Sequence, residues 1–148
     1  MTLTHTPDPR PTVFIDSSVL IAAAISPTGA ARLLLTAGLL GDVLLVFSAD
    51  VFEETERNLR KKYPAALSAL TLFQDAFVDQ TIRQAAEFVA AKDVPILAGA
   101  LAATTPFLAT FDQQHLLSIA ARIRAVFGMT VATPSEILRL ISKDFDGR

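Results

Sequence analysis

Two acidic residues close runs of apolar chain: Asp16 ends "TVFI" and Asp112 follows "FLATF". A carboxylate in such a place can cap the helix that follows, or it can offer oxygen to a hard divalent cation. Asp16 precedes Ser17 and Ser18, whose hydroxyls could fix it as a ligand or cap the helix themselves. Thr110 lies two residues before Asp112 on the same strand face and could support it by a hydroxyl hydrogen bond. Asp93 reads as a helix cap with Pro95 in the first turn. At helical spacing it also lines up with Ile96, Leu97 and Ala100, so inside the first turn it would face a core, where a cation would relieve the cost of an unpaired charge.

A fourth group of acids lies in "FEETERNLRKK". Steps of about 100° per residue put Glu54, Arg57, Asn58 and Lys61 on one flank of the apolar stripe Val51, Phe52, Thr55 and Leu59, with Glu53, Glu56 and Arg60 on the other. The cations of this helix could pair along a solvated face and favour the helix C-terminus. They could equally position a polyanion, because phosphate contacts set register without reading sequence.

Composition narrows the chemistry. There are no cysteines, which removes disulfides, zinc–thiolate sites and thiol catalysis and fits a reducing cytoplasm. The two histidines, His5 and His115, are too few for a histidine-rich zinc site, whereas 15 acidic residues leave oxygen-ligated magnesium or manganese open. A net charge of −2 gives no strong global attraction to nucleic acid, so any such contact rests on a local patch. His115 reads as an exposed helix residue and Tyr63 as a helix-end packing residue, and neither enters the candidate site.

The elements that must position the acids follow from the apolar pattern. With 148 residues, 51% of them apolar, the chain suits one domain able to bury roughly 68–70% of its unfolded surface. Residues 1–11 are polar, carry three prolines and read as a flexible tail rather than a secretory signal. "TVFI", "DVLLVF", "FLATF" and "MTVA" read as strands, the first and third buried on both faces because they are continuously apolar. "FVDQ" offers a short edge strand. Helices are expected over "SSVLIAAAIS", Ala30 to Leu40 with Gly41 as the stop, Ser48 (as cap) to about Tyr63, "PAALSALTLFQDA", Ile82 to Ala91, Asp93 to about Ala103, "QQHLLSIAARIRAVF", and "TPSEILRLI" capped by Thr133. Residues 94–111 are uncharged, but Pro95 and "TTP" divide them into a helix and a strand, so the expected protein is soluble. Alternating strands and helices give a doubly wound α/β sheet, whose ligand crevice lies beyond the carboxyl ends of the strands. Asp16 and Asp112 both stand at such ends.

In this order the segments "VFIDSSVLIAA", "LLLTAGLLGDVLLVFSADVFEETERNL", "KDVPILAGALAATTPFLATFDQQHLL" and "VATPSEILRLI" resemble the PIN-domain family, metal-dependent nucleases that include VapC-type toxins. The resemblance runs from about Thr12 to Ile141. It implies a single PIN-like domain over residues 12–148, three-layer α/β/α, with a central parallel sheet of about four to five strands. Carried over by position, it makes Asp16, Glu54, Asp93 and Asp112 the catalytic metal ligands for one or two Mg²⁺ or Mn²⁺ ions, with Glu53 competing with Glu54 for the helix position. Ser17, Ser18 and Thr110 become supporting residues, and Arg57 and Lys61 candidates for RNA phosphate. Ser18 departs from the family pattern, since many relatives carry asparagine there.

The activity implied is hydrolysis of phosphodiester bonds in single-stranded or looped RNA by the toxin of a toxin–antitoxin pair. Such a toxin would be cytoplasmic, homodimeric and neutralised by a cognate antitoxin. A noncatalytic RNA-binding or protein-interaction domain on the same fold is the alternative. A phosphoacceptor receiver domain fits poorly, because "MTVATPSEIL" supplies no lysine after the last strand.

Overall fold

The structure, a computed structural model, describes residues 10–76, 81–82 and 106–146. Five parallel strands form one sheet: β1 (Thr12–Ile15), β2 (Leu44–Ser48), β3 (Thr81–Ile82), β4 (Phe107–Ala109) and β5 (Thr130–Ala132). Their order is β3-β2-β1-β4-β5. Helices α1 (Ser17–Ile25), α2 (Ala30–Leu39), α3 (Ala49–Lys62), α4 (Leu67–Ala76), α5 (Ala120–Phe127) and α6 (Pro134–Asp146) complete the described elements, together with short 3₁₀ turns at Pro64–Ala66 and Leu117–Ile119.

Consecutive strand residues point to opposite faces, yet Val13, Phe14 and Ile15 are all fully buried. Both faces of β1 are therefore covered, giving the three layers expected for a continuously apolar parallel strand. The chain steps from β1 to β2 and from β4 to β5 in opposite directions along the sheet, and right-handed crossovers then put the connecting helices on opposite faces. The point of reversal lies between β1 and β4, which pair in the register Val13↔Phe107 and Ile15↔Ala109. A crevice opens at such a switch point, at the carboxyl ends of the two strands.

Local chemistry sets the helix ends. Ser48 caps α3 by accepting from the Val51 amide at 3.2 Å, with Asp50 in the first turn and Arg60, Lys61 and Lys62 in the last, matching the helix dipole at both ends. Thr55, buried in the apolar stripe of α3, satisfies its hydroxyl on the Val51 carbonyl at 2.8 Å. At α6, Thr133 and Glu136 form a capping box: the Glu136 amide donates to Thr133 Oγ1 (3.3 Å) and the Thr133 amide to Glu136 Oε1 (3.4 Å), which also accepts from the Thr133 hydroxyl (2.9 Å).

Helix α2 ends on Gly41 at φ +85°. The Asp42 amide reaches the Ala37 carbonyl (2.9 Å) and the Gly41 amide the Gly38 carbonyl (3.1 Å), the paired bonds of a Schellman motif. A Cβ at Gly41 meets no neighbour within 4 Å, so the cost of a substitution there comes from the backbone alone. Gly41→Ala is expected to lower stability by about 1–2 kcal/mol, read as a lower urea midpoint at unchanged slope.

Three expectations shift. Thr81 and Ile82 pair in parallel with Phe47 and Ser48, so an edge strand stands where a helix was expected to begin at Ile82; "FVDQ" itself, at residues 77–80, lies outside the described residues. After β4 the chain turns through residues 113–116 and a 3₁₀ segment, and the regular helix begins only at Ala120. The strand in "FLATF" ends at Ala109, leaving Phe111 exposed. Among the described residues no single helix is long and apolar enough to cross a membrane. The apolar pair α1 and α2, bent by 96°, buries Val19, Leu20, Leu34 and Leu35 in the core.

Candidate functional site

Asp16 continues the β1–β4 ladder, its amide donating to the Ala109 carbonyl at 3.0 Å. Its own carbonyl accepts from Val19 (3.0 Å) and Leu20 (3.2 Å) and so starts α1. Asp16 is thus the N-cap residue of α1 by position, but its side chain makes no capping bond. Instead Oδ2 accepts from the hydroxyls of Thr110 (2.5 Å) and Ser18 (2.8 Å), while Oδ1 has only the longer contact from Ser17 at 3.4 Å. The carboxylate is 2% exposed and forms no ion pair with a described residue.

Each hydroxyl has one proton to give, and both are directed at the same oxygen. Hydrogen bonds to a carboxylate are of the stronger, charge-assisted kind, but they do not neutralise it, and a buried uncompensated charge is costly. Oδ1 is the oxygen with only the Ser17 contact.

The hydroxyls are held in turn. Thr110 is fully buried, its amide donating to the Ala132 carbonyl of β5 at 3.0 Å and its Oγ1 accepting from the Asp112 amide at 2.9 Å. Ser18 Oγ accepts from the Phe111 amide at 2.9 Å. Ser18 thus reaches both the carboxylate and the facing loop. Thr110 was expected to support the Asp112 carboxylate. It supports the Asp112 backbone instead and turns its proton across to Asp16, because the side chain of Asp112 is engaged further along the turn.

That engagement explains Asp112. Oδ1 accepts from the His115 amide at 3.0 Å, and Oδ2 lies 3.4 Å from His115 Nδ1. The acid both shapes the turn and stands beside the bracing of Asp16, so the loop and ligand readings are compatible. His115, with a side chain 63% exposed, was left out of the candidate site; the Asp-Gln-Gln-His spacing was the only signal of its contact.

Helix α3 packs against α1. Glu54 is half-buried and Glu53 exposed, so Glu54 lies nearer the body of the protein, and no hydrogen bond or ion pair engages its carboxylate among the described residues. Arg57 and Lys61 stand three and seven residues after Glu54 on the continuous helix α3, on the same flank as expected. They line a shallow surface depression of about 540 Å³ with Glu53, Glu56 and Arg60, where the Arg60–Glu56 pair at 3.3 Å is exposed and adds little stability. Asp93 lies outside the described residues. Among those described, no three histidine or acidic side chains gather as a ready ion cage.

A family model described as a PIN domain matches residues 12–114, from the first residue of β1 to just beyond Asp112. The chain belongs to the PIN-domain family. The match spans well over half the chain and includes Asp16, Glu54, Asp93 and Asp112. PIN domains are generally nucleases and typically use divalent metals, and the fold here is of that nuclease type. Neither a curated protein nor a solved structure matches the chain.

Proposed function

We propose that this PIN domain is a divalent-metal-dependent endoribonuclease that hydrolyses phosphodiester bonds of single-stranded or looped RNA. The observation that carries the reading is the buried Asp16 carboxylate, pinned through one oxygen by Thr110 and Ser18 and offered no cationic partner among the described residues. A purely structural acid gains little from such a place. Aspartate oxygens from two adjacent strand ends suit the hard-donor preference of Mg²⁺ or Mn²⁺.

In this reading Asp16 and Asp112 hold one or two ions from the sheet edge, with Glu54 contributing from α3 and Asp93 completing the set. When bound, such ions place positive charge on the phosphoryl oxygens and lower the pKa of an attacking water. Thr110 and Ser18 keep Asp16 in one orientation, and Ser17 lies beside its open oxygen. Arg57 and Lys61 attract the RNA backbone. Unpaired RNA suits the crevice because its backbone and bases are accessible without opening a duplex.

The same reading makes the protein the toxin of a toxin–antitoxin pair, cytoplasmic, homodimeric and silenced by its cognate antitoxin. Exposed Leu33, Leu39 and Leu40 at α2, with Leu140 on α6, supply apolar surface for such contacts. Purifying the chain alone and with the product of its neighbouring gene tests this part.

Incubation of the purified protein with mixed cellular RNA in magnesium, manganese or chelator tests the activity. Shortened RNA that appears with either ion and not with chelator is the expected result. RNA binding without metal-stimulated product would instead mark a noncatalytic RNA-binding domain.

A further inference from the structure

Phe111 stands between the two acids' supports and has no part in the metal chemistry. Its neighbours in sequence are both fixed: Thr110 is buried and bonded to Asp16, and the Asp112 amide is held by Thr110 Oγ1. Its own amide donates to Ser18 Oγ at 2.9 Å. A large apolar side chain is thus carried on backbone tied down at three successive residues, yet Phe111 is 39% exposed.

A solitary exposed hydrophobe is ordinary, so its place on the sheet decides the matter. Apart from the imidazole of His115, which is engaged with Asp112, the other exposed aromatic rings among the described residues are those of Tyr63 and Phe127. Phe127 ends α5, just before β5 starts, and therefore lies toward the amino edge of the parallel sheet. Tyr63 follows the 14 residues of α3, roughly 20 Å of helix away from the carboxyl edge. Phe111 is the one at the carboxyl edge, adjoining Asp112.

Resting on the ribonuclease reading, we infer that Phe111 is a stacking platform for an unpaired nucleobase next to the scissile phosphate. An aromatic face accepts any base, at a strength that makes a platform a major part of single-strand affinity. The rigid backbone removes much of the ordering cost that a mobile loop would add. The ring would set which phosphate lies over the acids and favour unpaired RNA, since a base inside a duplex is not free to stack on it.

The chain has no tryptophan, so Phe111→Trp installs a lone reporter. The variant is titrated, with calcium as the divalent ion, against a short oligouridylate and against an abasic ribose-phosphate oligomer of equal length. Emission quenched by the oligouridylate and not by the abasic oligomer is expected. In wild-type background Phe111→Ala should weaken oligouridylate binding about 5- to 150-fold, with Phe111→Tyr restoring it. Equal quenching by both oligomers, wild-type affinity in Phe111→Ala, or no RNA binding by the wild type overturns the platform. Base-dependent quenching by a protein that never cleaves RNA in magnesium or manganese overturns the nuclease reading alone. Cleavage without base-dependent quenching overturns the platform alone.

Discussion

Asp16→Asn should lower metal-dependent RNA cleavage by about 10³-fold or more while leaving the thermal midpoint close to that of the wild type. The two halves of this expectation come from the two oxygens. The amide oxygen of asparagine can still accept from Thr110 and Ser18, which now meet Oδ2 at 2.5 and 2.8 Å, so the packing and the hydroxyl bonds survive. The amide nitrogen then occupies the place of Oδ1, where it presents hydrogens to a cation instead of lone pairs. Several kcal/mol of charge stabilisation would be lost with the ion, each 1.36 kcal/mol being tenfold in rate. Initial rates at saturating manganese, set beside a melting curve of the same preparation, check it. Unchanged turnover would remove Asp16 from the mechanism.

Thr110→Val tests the bracing with almost no change of shape. The variant takes a hydrogen-bond donor from the buried Asp16 and an acceptor from the Asp112 amide. The Asp112 amide is left without its partner, at a cost of about 1–3 kcal/mol, and Asp16 Oδ2 keeps only the Ser18 bond, so the melting temperature should fall measurably. Outer partners of metal ligands typically carry about 10- to 100-fold in metal affinity or activity, and a loss of that size is expected in the manganese dependence of cleavage. Thr110→Ser keeps the hydroxyl and should recover most of both losses. A valine variant as active as the wild type would reduce Thr110 to a core residue.

The sheet could be read from the chain because parallel strands buried on both faces leave an unbroken apolar mark. "TVFI" and "FLATF" each carry it, and each is followed by the acid that matters. The helix ends were legible for the same kind of reason: Ser48, Gly41 and the Thr133–Glu136 pair do their work within one turn. What pattern could not supply is cross-chain direction. Thr110 lies nearest in sequence to Asp112, but its proton goes to Asp16, 94 positions away, and only the β1–β4 register fixes that choice. The two-residue strand at Thr81–Ile82 was misread because its identity comes from pairing with Phe47 and Ser48, not from its own side chains. The turn after Asp112 was taken for helix because "QQHLL" has helical spacing, while the Asp112 carboxylate captures the His115 amide and delays the first regular turn to Ala120.

The bond from Thr110 to Asp16 spans most of the domain, and that distance along the chain has a consequence for a protein being made. Translation at about 5–20 residues per second leaves β1 waiting roughly 5–20 s for β4 to be synthesised. Until then Asp16 has neither its second strand nor its strongest hydroxyl partner, and Asp112 does not exist. On the proposed ribonuclease reading, a ribosome is thus shielded from its own unfinished product, because the acids of the sheet edge are brought together only after residue 112 has been added.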